Sequence, residues 1–228
     1  FFAGVLGVRK GLTKPIGSLT QMGTIRLGKR TEDRVPMIKD FVPLAGLDDI
    51  VFGGWDPISD NAYEAAMEAG VLEERDLLPI KDEMESIQPM KAVFSNDWVK
   101  KLTPNHVKSE TSKWEQAEAL RKDMRDFKEK HGCDRLVIVW CATSGHYRGH
   151  TEVHQTAANF EKGLKNDDPN ISPSQIYAYA AIMENVPFAN GAPNLSVDLP
   201  CMTELAHERR VPIAGKDFKT GQTLMKTI

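Results

Sequence analysis

Short apolar runs alternate with amphipathic segments along the sequence, and this alternation constrains the fold more than any other feature. Residues 136–141 form an unbroken apolar run, which is typical of a strand buried on both faces of a parallel sheet. Shorter strands are predicted at 49–56 and 211–214. Helices are predicted between and around them at 61–69, 113–130, 174–183 and 202–209. This order predicts the α/β class with a parallel sheet.

The helix at 113–130 has the strongest local signals. Ser112 and Glu115 have the spacing of a capping box, and Gly132 is a suitable C-terminal stop. Apolar residues recur at steps of three and four, as expected for a helix that covers a core: Trp114, Ala117, Leu120, Met124 and Phe127.

Composition limits the classes of partner. The 228 residues carry a net charge of −3, which favours neither nucleic acid nor an anionic membrane as a partner. The three cysteines, Cys133, Cys141 and Cys201, lack metal-type spacing and are interpreted as reduced thiols of a cytoplasmic protein, with Cys141 in the core. The apolar stretch 1–12 is too short to span a bilayer and contains Arg9 and Lys10. We interpret it as the first helix of a domain whose opening strand is missing, within a fragment of a longer protein.

Three polar, glycine-rich segments follow apolar runs. They are residues 53–56, 141–145 and 190–194. Ligands of parallel sheets bind beyond the carboxyl ends of the strands, so these segments predict one crevice, with a dinucleotide as its occupant. The alternative is structural: 53–54 and 190–191 are also compatible with ordinary turns, with Asp56 helping to cap the helix that follows.

The segment 211–223 is the most informative for ligand binding. A short apolar strand runs into Gly215, then into Lys216-Asp217-Phe218-Lys219 and Thr220-Gly221-Gln222-Thr223. Glycine, hydroxyl and amide groups after a strand can surround an anion, and lysines add positive charge. A helix start with a hydroxyl cap and no ligand would explain the same residues.

The histidines raise a separate possibility. His146, His150 and His154 recur every four residues, which on a helix would allow zinc or nickel binding. Gly145 and Gly149 disfavour a helix there, so we predict solvent-exposed histidines and no metal site.

The chain resembles the myo-inositol-1-phosphate synthase family. The resemblance is carried by Gly17-Ser18-Leu19-Thr20-Gln21, by residues 52–56 and 190–194, and most strongly by residues 214–223. It implies a Rossmann-like doubly wound sheet over 1–214 that lacks its first strand. Residues 215–228 would then begin a second catalytic and tetramerisation domain of the α+β type, which is mostly absent.

The resemblance implies an NAD-dependent isomerase that acts on glucose 6-phosphate. In this family the sugar is oxidised at C5, enolised, closed by an intramolecular aldol reaction and reduced again, which gives an inositol phosphate. The family is cytoplasmic and homotetrameric. Its principal catalytic lysines are expected beyond residue 228, so the 228 residues alone are expected to be inactive.

The resemblance also implies roles for individual residues. The expected cofactor contacts are Asp56, Ala142, Ser144, Gly191 and Asp217. Sugar-phosphate contacts are expected at Thr220, Gly221, Gln222 and Thr223, and Asp217, Lys219 and Lys226 are the candidate catalytic residues. The sequence departs from the family at Gly145, where an acidic residue is usual.

Three other functions remain open on the residues alone. An ordinary NAD-linked sugar-phosphate dehydrogenase would use the same crevice. A non-catalytic binding or assembly module would need no chemistry, and a metal hydrolase would use the histidine row.

Overall fold

The computed structural model describes residues 1–142 and 145–218. They form two compact units. The first comprises residues 1–54 and 59–89, and the second comprises residues 55–58 and the chain from Met90 onward. The predicted α/β class is confirmed, since the strands of both named sheets pair in parallel and helices lie between them in sequence.

The first unit consists of short helices around a small apolar core. The core side chains are Leu6, Leu77, Ile80 and Met84, none more than 5% exposed. The helices are α1 (Phe2–Arg9), α2 (Leu19–Met22), α3 (Ile38–Phe41), α4 (Ala62–Ala69), α5 (Glu74–Leu77) and α6 (Lys81–Ser86), with 3-10 turns at Arg30–Glu32, Leu47–Asp49 and Leu78–Ile80.

The strand predicted at 49–56 is wrong for most of its length, because only its last two residues are extended in a sheet. The cause is a set of contacts from α1. Arg9 donates hydrogen bonds to the carbonyl oxygens of Leu47, at 2.7 Å, and of Ile50. The Phe52 ring stacks on Phe2 with centroids 4.6 Å apart. Arg9 therefore occupies the Ile50 carbonyl, which a neighbouring strand would otherwise pair.

The second unit contains both sheets and the longest helix. Its elements are β1 (Trp55–Asp56), β2 (Met90–Lys91), α7 (Lys113–His131), β3 (Ile138–Trp140), α8 (Ala157–Lys165), α9 (Pro173–Met183), β4 (Phe188–Asn190), α10 (Pro200–Arg209) and β5 (Ile213–Gly215), with a 3-10 turn at Glu152–His154. Strands β1 and β2 pair with each other. The other sheet has the order β3-β4-β5, and α10 connects β4 to β5.

Helix α7 confirms the prediction for residues 113–130. The Ser112 hydroxyl accepts a hydrogen bond from the Glu115 backbone, the Glu115 side chain accepts one in return, and Gly132 ends the helix in the left-handed region. Buried Ala117, Leu120 and Met124 lie on its inner face. Among the helices of residues 1–142 and 145–218, α7 included, none is long and apolar enough to cross a bilayer.

Helix α9 forms the centre of the core in the second unit. All its residues from Ser174 to Ile182 are buried, and it packs against α7, α10 and β4. The Tyr179 ring lies 5.7 Å from that of Phe160, and neither side chain is exposed. The helix is buried on all sides and carries no charged residue, as expected for one surrounded by other elements.

The prediction that residues 136–141 are buried on both faces is wrong. Val137 is 67% exposed and Val139 is 50% exposed. Leu136, Ile138 and Trp140, which alternate with these two valines, pack against the core cluster. Cys141 is likewise exposed and not a core thiol. The apolar run reflects the strand propensity of its residues. Burial of both faces would also require a helix or another sheet packed against each face.

Candidate functional site

Strands β3, β4 and β5 end at one edge of their sheet, and their last residues are aligned. Trp140 pairs with Asn190, and Asn190 pairs with Gly215. Because the strands are parallel, the segments that follow them leave the sheet on the same side. This edge is the candidate site.

Asn190 shapes the turn after β4. Its side chain is fully buried, accepts a hydrogen bond from the Ala192 N–H at 3.0 Å and donates one to the Asn194 carbonyl at 2.7 Å. The Gly191 N–H donates to the Trp140 carbonyl at 2.8 Å, so this turn begins in contact with the end of β3.

Gly215 allows β5 to approach Asn190. Its φ is +138°, and a Cβ there would lie 2.7 Å from the Asn190 carbonyl oxygen. The chain then runs beside the β4 turn. The Asp217 N–H donates to the Ala192 carbonyl at 3.1 Å, and the Phe218 N–H donates to the Gly191 carbonyl at 3.3 Å.

An ion pair lies at the rim of this edge. The Lys216 ammonium contacts the Asp198 carboxylate at 2.6 Å, with side chains 41% and 31% exposed. The hydrogen bond to Asp198 raises the pKa of Lys216. The pair joins the segment after β5 to the residues that precede α10. Exposed pairs of this kind contribute little to stability, so its effect is mainly on local position.

The second strand pair is connected to this sheet by aromatic rings. The buried Tyr177 ring lies 5.2 Å from Trp55 on β1 and 5.1 Å from Trp140 on β3. Its hydroxyl accepts a hydrogen bond from the Val93 N–H at 3.0 Å, and burial raises its pKa. The Trp55 indole donates to Asp123 on α7 at 2.7 Å. These contacts hold β1 beside the sheet core.

The predicted site residues are only partly covered by the described chain. Ala142, Gly191 and Asp217 lie on the segments at the ends of β3, β4 and β5. Asp56 is the exposed last residue of β1, and its carboxylate accepts a hydrogen bond from the Ile58 N–H at 2.9 Å. The remaining predicted positions lie outside the described residues: Ser144, Lys219, Thr220, Gly221, Gln222, Thr223 and Lys226.

The chemistry of this edge fits a dinucleotide. Ala142 has a minimal, exposed side chain just after β3, which allows a ligand to approach the backbone there. Asp56 presents an exposed carboxylate at the end of β1, in the separate β1-β2 pair, and a carboxylate suits hydrogen bonding with ribose hydroxyls. Backbone access at Ala142 and a carboxylate acceptor at Asp56 are both features that dinucleotide binding uses.

Sequence reasoning missed the two asparagines that organise this edge. Asn190 and Asn194 were part of a predicted segment, but only Gly191 between them was assigned a role. Asn194 contacts the segment after β3, because its side chain pairs with the Gly145 backbone. Two asparagines flanking a Gly-Ala-Pro turn after a strand are the signal that could have identified them.

The prediction of solvent-exposed histidines is wrong for His154. His146 and His150 are exposed, but His154 is 1% exposed within a 3-10 turn. Its Nδ1 accepts a hydrogen bond from the Thr151 N–H at 2.9 Å, and its Nε2 lies 3.1 Å from Gln175 Oε1. Desolvation lowers its pKa, which favours the neutral ring. Across residues 1–142 and 145–218, no group of three His, Cys, Asp or Glu side chains is placed to hold a metal.

Comparison with known proteins gives consistent matches. The family model described as myo-inositol-1-phosphate synthase, an NAD-binding domain model, matches residues 1–225. An inositol-3-phosphate synthase from Bacteroides thetaiotaomicron is 52% identical over 99% of this chain and 52% of its own length. One from Oryza sativa is 38% identical over 99% of this chain and 47% of its own length.

The fold is also found among solved structures. The crystal structure of inositol-3-phosphate synthase from Caenorhabditis elegans matches with a TM-score of 0.86 and 29% sequence identity, over 99% of this chain and 48% of that chain. The chain thus spans about half the length of the relatives it matches. The match supports the predicted Rossmann-like architecture, and the predicted resemblance is confirmed. The chain belongs to the myo-inositol-1-phosphate synthase family.

Proposed function

We propose that this chain forms the NAD-binding part of an inositol-3-phosphate synthase, an isomerase that converts D-glucose 6-phosphate to 1D-myo-inositol 3-phosphate. The observation that carries the proposal is the 52% identity to the Bacteroides inositol-3-phosphate synthase over 99% of the chain. The shape of the β3-β4-β5 edge supports it, because aligned strand ends with small residues suit a dinucleotide.

The residues of the chain would act by binding and positioning. Asp56 would accept hydrogen bonds from the ribose on the adenosine side, while Ala142, Ser144 and Gly191 would contact the cofactor at the strand ends. When bound, NAD supplies reversible hydride transfer at C5 of the sugar, so the isomerisation involves no net oxidation. Asp217 would lie at the nicotinamide side.

The segment after Phe218 would hold the sugar. Its hydroxyl, amide and backbone groups suit a phosphate, and its lysines add positive charge near the oxyanions of the reaction: Lys219, Thr220, Gly221, Gln222, Thr223 and Lys226. We further propose that residues 1–214 form the NAD-binding domain and residues 215–228 begin a catalytic and tetramerisation domain, in a cytoplasmic homotetramer.

An assay of the complete protein tests this proposal. The protein is incubated with D-glucose 6-phosphate and NAD, the products are identified by NMR, and absorbance at the NADH band is followed. We expect inositol phosphate to form without accumulation of NADH. NADH that accumulates in proportion to consumed sugar would identify an ordinary dehydrogenase. A protein that leaves the sugar unchanged and binds no NAD would be a non-catalytic module.

A further inference from the structure

A single side chain joins the segments that follow β3 and β4. The Asn194 carboxamide accepts a hydrogen bond from the Gly145 N–H at 3.1 Å and donates one to the Gly145 carbonyl at 2.9 Å. The two residues are 49 positions apart in sequence. The amide thus satisfies both backbone groups of Gly145, as a neighbouring strand would.

Asn194 is itself hydrogen-bonded to a residue of the central strand, β4. Its carbonyl accepts a hydrogen bond from Asn190 at 2.7 Å, and Asn190 is fully buried at the end of β4. Gly215 on β5 leaves room for Asn190, since a Cβ there would lie 2.8 Å from the Asn190 Cβ. A continuous set of contacts therefore runs from β5 through Asn190 and Asn194 to Gly145.

Gly145 is held on its other side as well. A Cβ at this position would lie 3.1 Å from the Trp98 carbonyl oxygen, and the next residue, His146, donates to that same oxygen at 2.7 Å. Gly145 is thus fixed between Trp98 and Asn194. Gly145 directly follows Ser144, one of the proposed cofactor contacts.

We propose that Asn194 is a positioning residue for dinucleotide binding, which sets the place of Gly145 through the paired hydrogen bonds to its backbone. This inference rests on the proposed function. Few side chains can replace it. Alanine removes both hydrogen bonds, and glutamine is longer by one methylene. Aspartate presents an oxygen to the Gly145 carbonyl, where two acceptors repel each other.

The test uses the complete protein and isothermal titration with NAD. For Asn194→Ala we expect the Kd for NAD to rise roughly 10-fold, the effect expected from losing two hydrogen bonds that position the segment. The melting temperature without NAD should stay close to that of wild type. The matched control is Asn159→Ala. The Asn159 side chain also donates a hydrogen bond to a backbone carbonyl, that of Glu152 at 3.2 Å, but it does so on the exposed surface. The control should bind NAD like wild type.

Asn194→Asp gives a readout that a merely structural role would not produce. A protonated carboxyl can donate to the Gly145 carbonyl while accepting from its N–H, whereas a carboxylate cannot donate. The Kd of this variant relative to wild type should therefore fall as the pH is lowered from about 7 to about 4, through the range in which a carboxyl takes up its proton, while the ratio for Asn194→Ala stays constant.

The outcomes separate this inference from the proposed function. If wild-type protein binds NAD and Asn194→Ala binds it equally well, the role of Asn194 is refuted and the function stands. If the ratio of the Asn194→Asp Kd to the wild-type Kd does not change with pH, the paired hydrogen bonds to Gly145 are not what supports NAD binding. Wild-type protein with no measurable NAD binding would contradict the proposed function and this inference together.

Discussion

Gly191→Val is expected to weaken NAD binding by the complete protein about 100-fold, because the added side chain displaces the turn after β4, where we propose that the cofactor lies. A Cβ at this position would lie 2.8 Å from the Trp140 carbonyl oxygen and 3.0 Å from the Phe218 ring. The carbonyl belongs to the end of β3 and cannot move without displacing that strand. The turn after β4 must shift instead, and isothermal titration with NAD measures the consequence.

The matched control is Gly149→Val, which adds the same side chain elsewhere in the chain after β3. A Cβ on Gly149 meets nothing within 4 Å. This variant should bind NAD with the wild-type Kd. If the Kd of Gly191→Val for NAD is also within roughly threefold of the wild-type Kd, the turn after β4 does not contribute to NAD binding as proposed.

Asp123→Ala is expected to lower the free energy of unfolding by about 2–4 kcal/mol. The Asp123 carboxylate lies 2.7 Å from the Lys108 ammonium and accepts the Trp55 indole N–H at 2.7 Å. The Lys108 side chain is only 10% exposed, so the variant leaves a largely buried charge without its partner. Thermal melting of the complete protein should show a decrease of several degrees.

Asp126→Ala on the same helix provides the comparison. Asp126 also pairs with a lysine, Lys122, but the two side chains are 57% and 70% exposed. Such a surface pair contributes little to stability, so this variant should melt close to wild type. Equal melting temperatures for the two alanine variants would show that Asp123 does not hold β1 in the way described.

Features set by neighbouring residues could be predicted from the sequence. The capping box of α7 involves residues three positions apart, and Gly132 ends the helix by its own backbone preference. The cap of α4 at Asn61 is equally local, because it accepts from Tyr63 and Glu64. For this reason the predicted helices are found close to their expected bounds.

Features set by distant contacts could not be predicted in this way. Residues 49–54 are not a strand, and Arg9, about forty positions earlier, binds the Ile50 carbonyl within them and the Leu47 carbonyl just before them. His154 is buried because Gln175, 21 positions later, pairs with its ring. The role of Asn194 depends on Gly145, 49 positions earlier. Sequence pattern identified the segments of the site, but not the side chains that join them.

The most direct test of the central claim is a crystal structure of the complete protein grown with NAD. The account predicts a dinucleotide at the carboxyl ends of β3, β4 and β5, against Ala142 and Gly191, with its adenosine ribose within hydrogen-bonding distance of Asp56. A dinucleotide bound elsewhere, with Gly191 and Asp56 facing solvent, would contradict it.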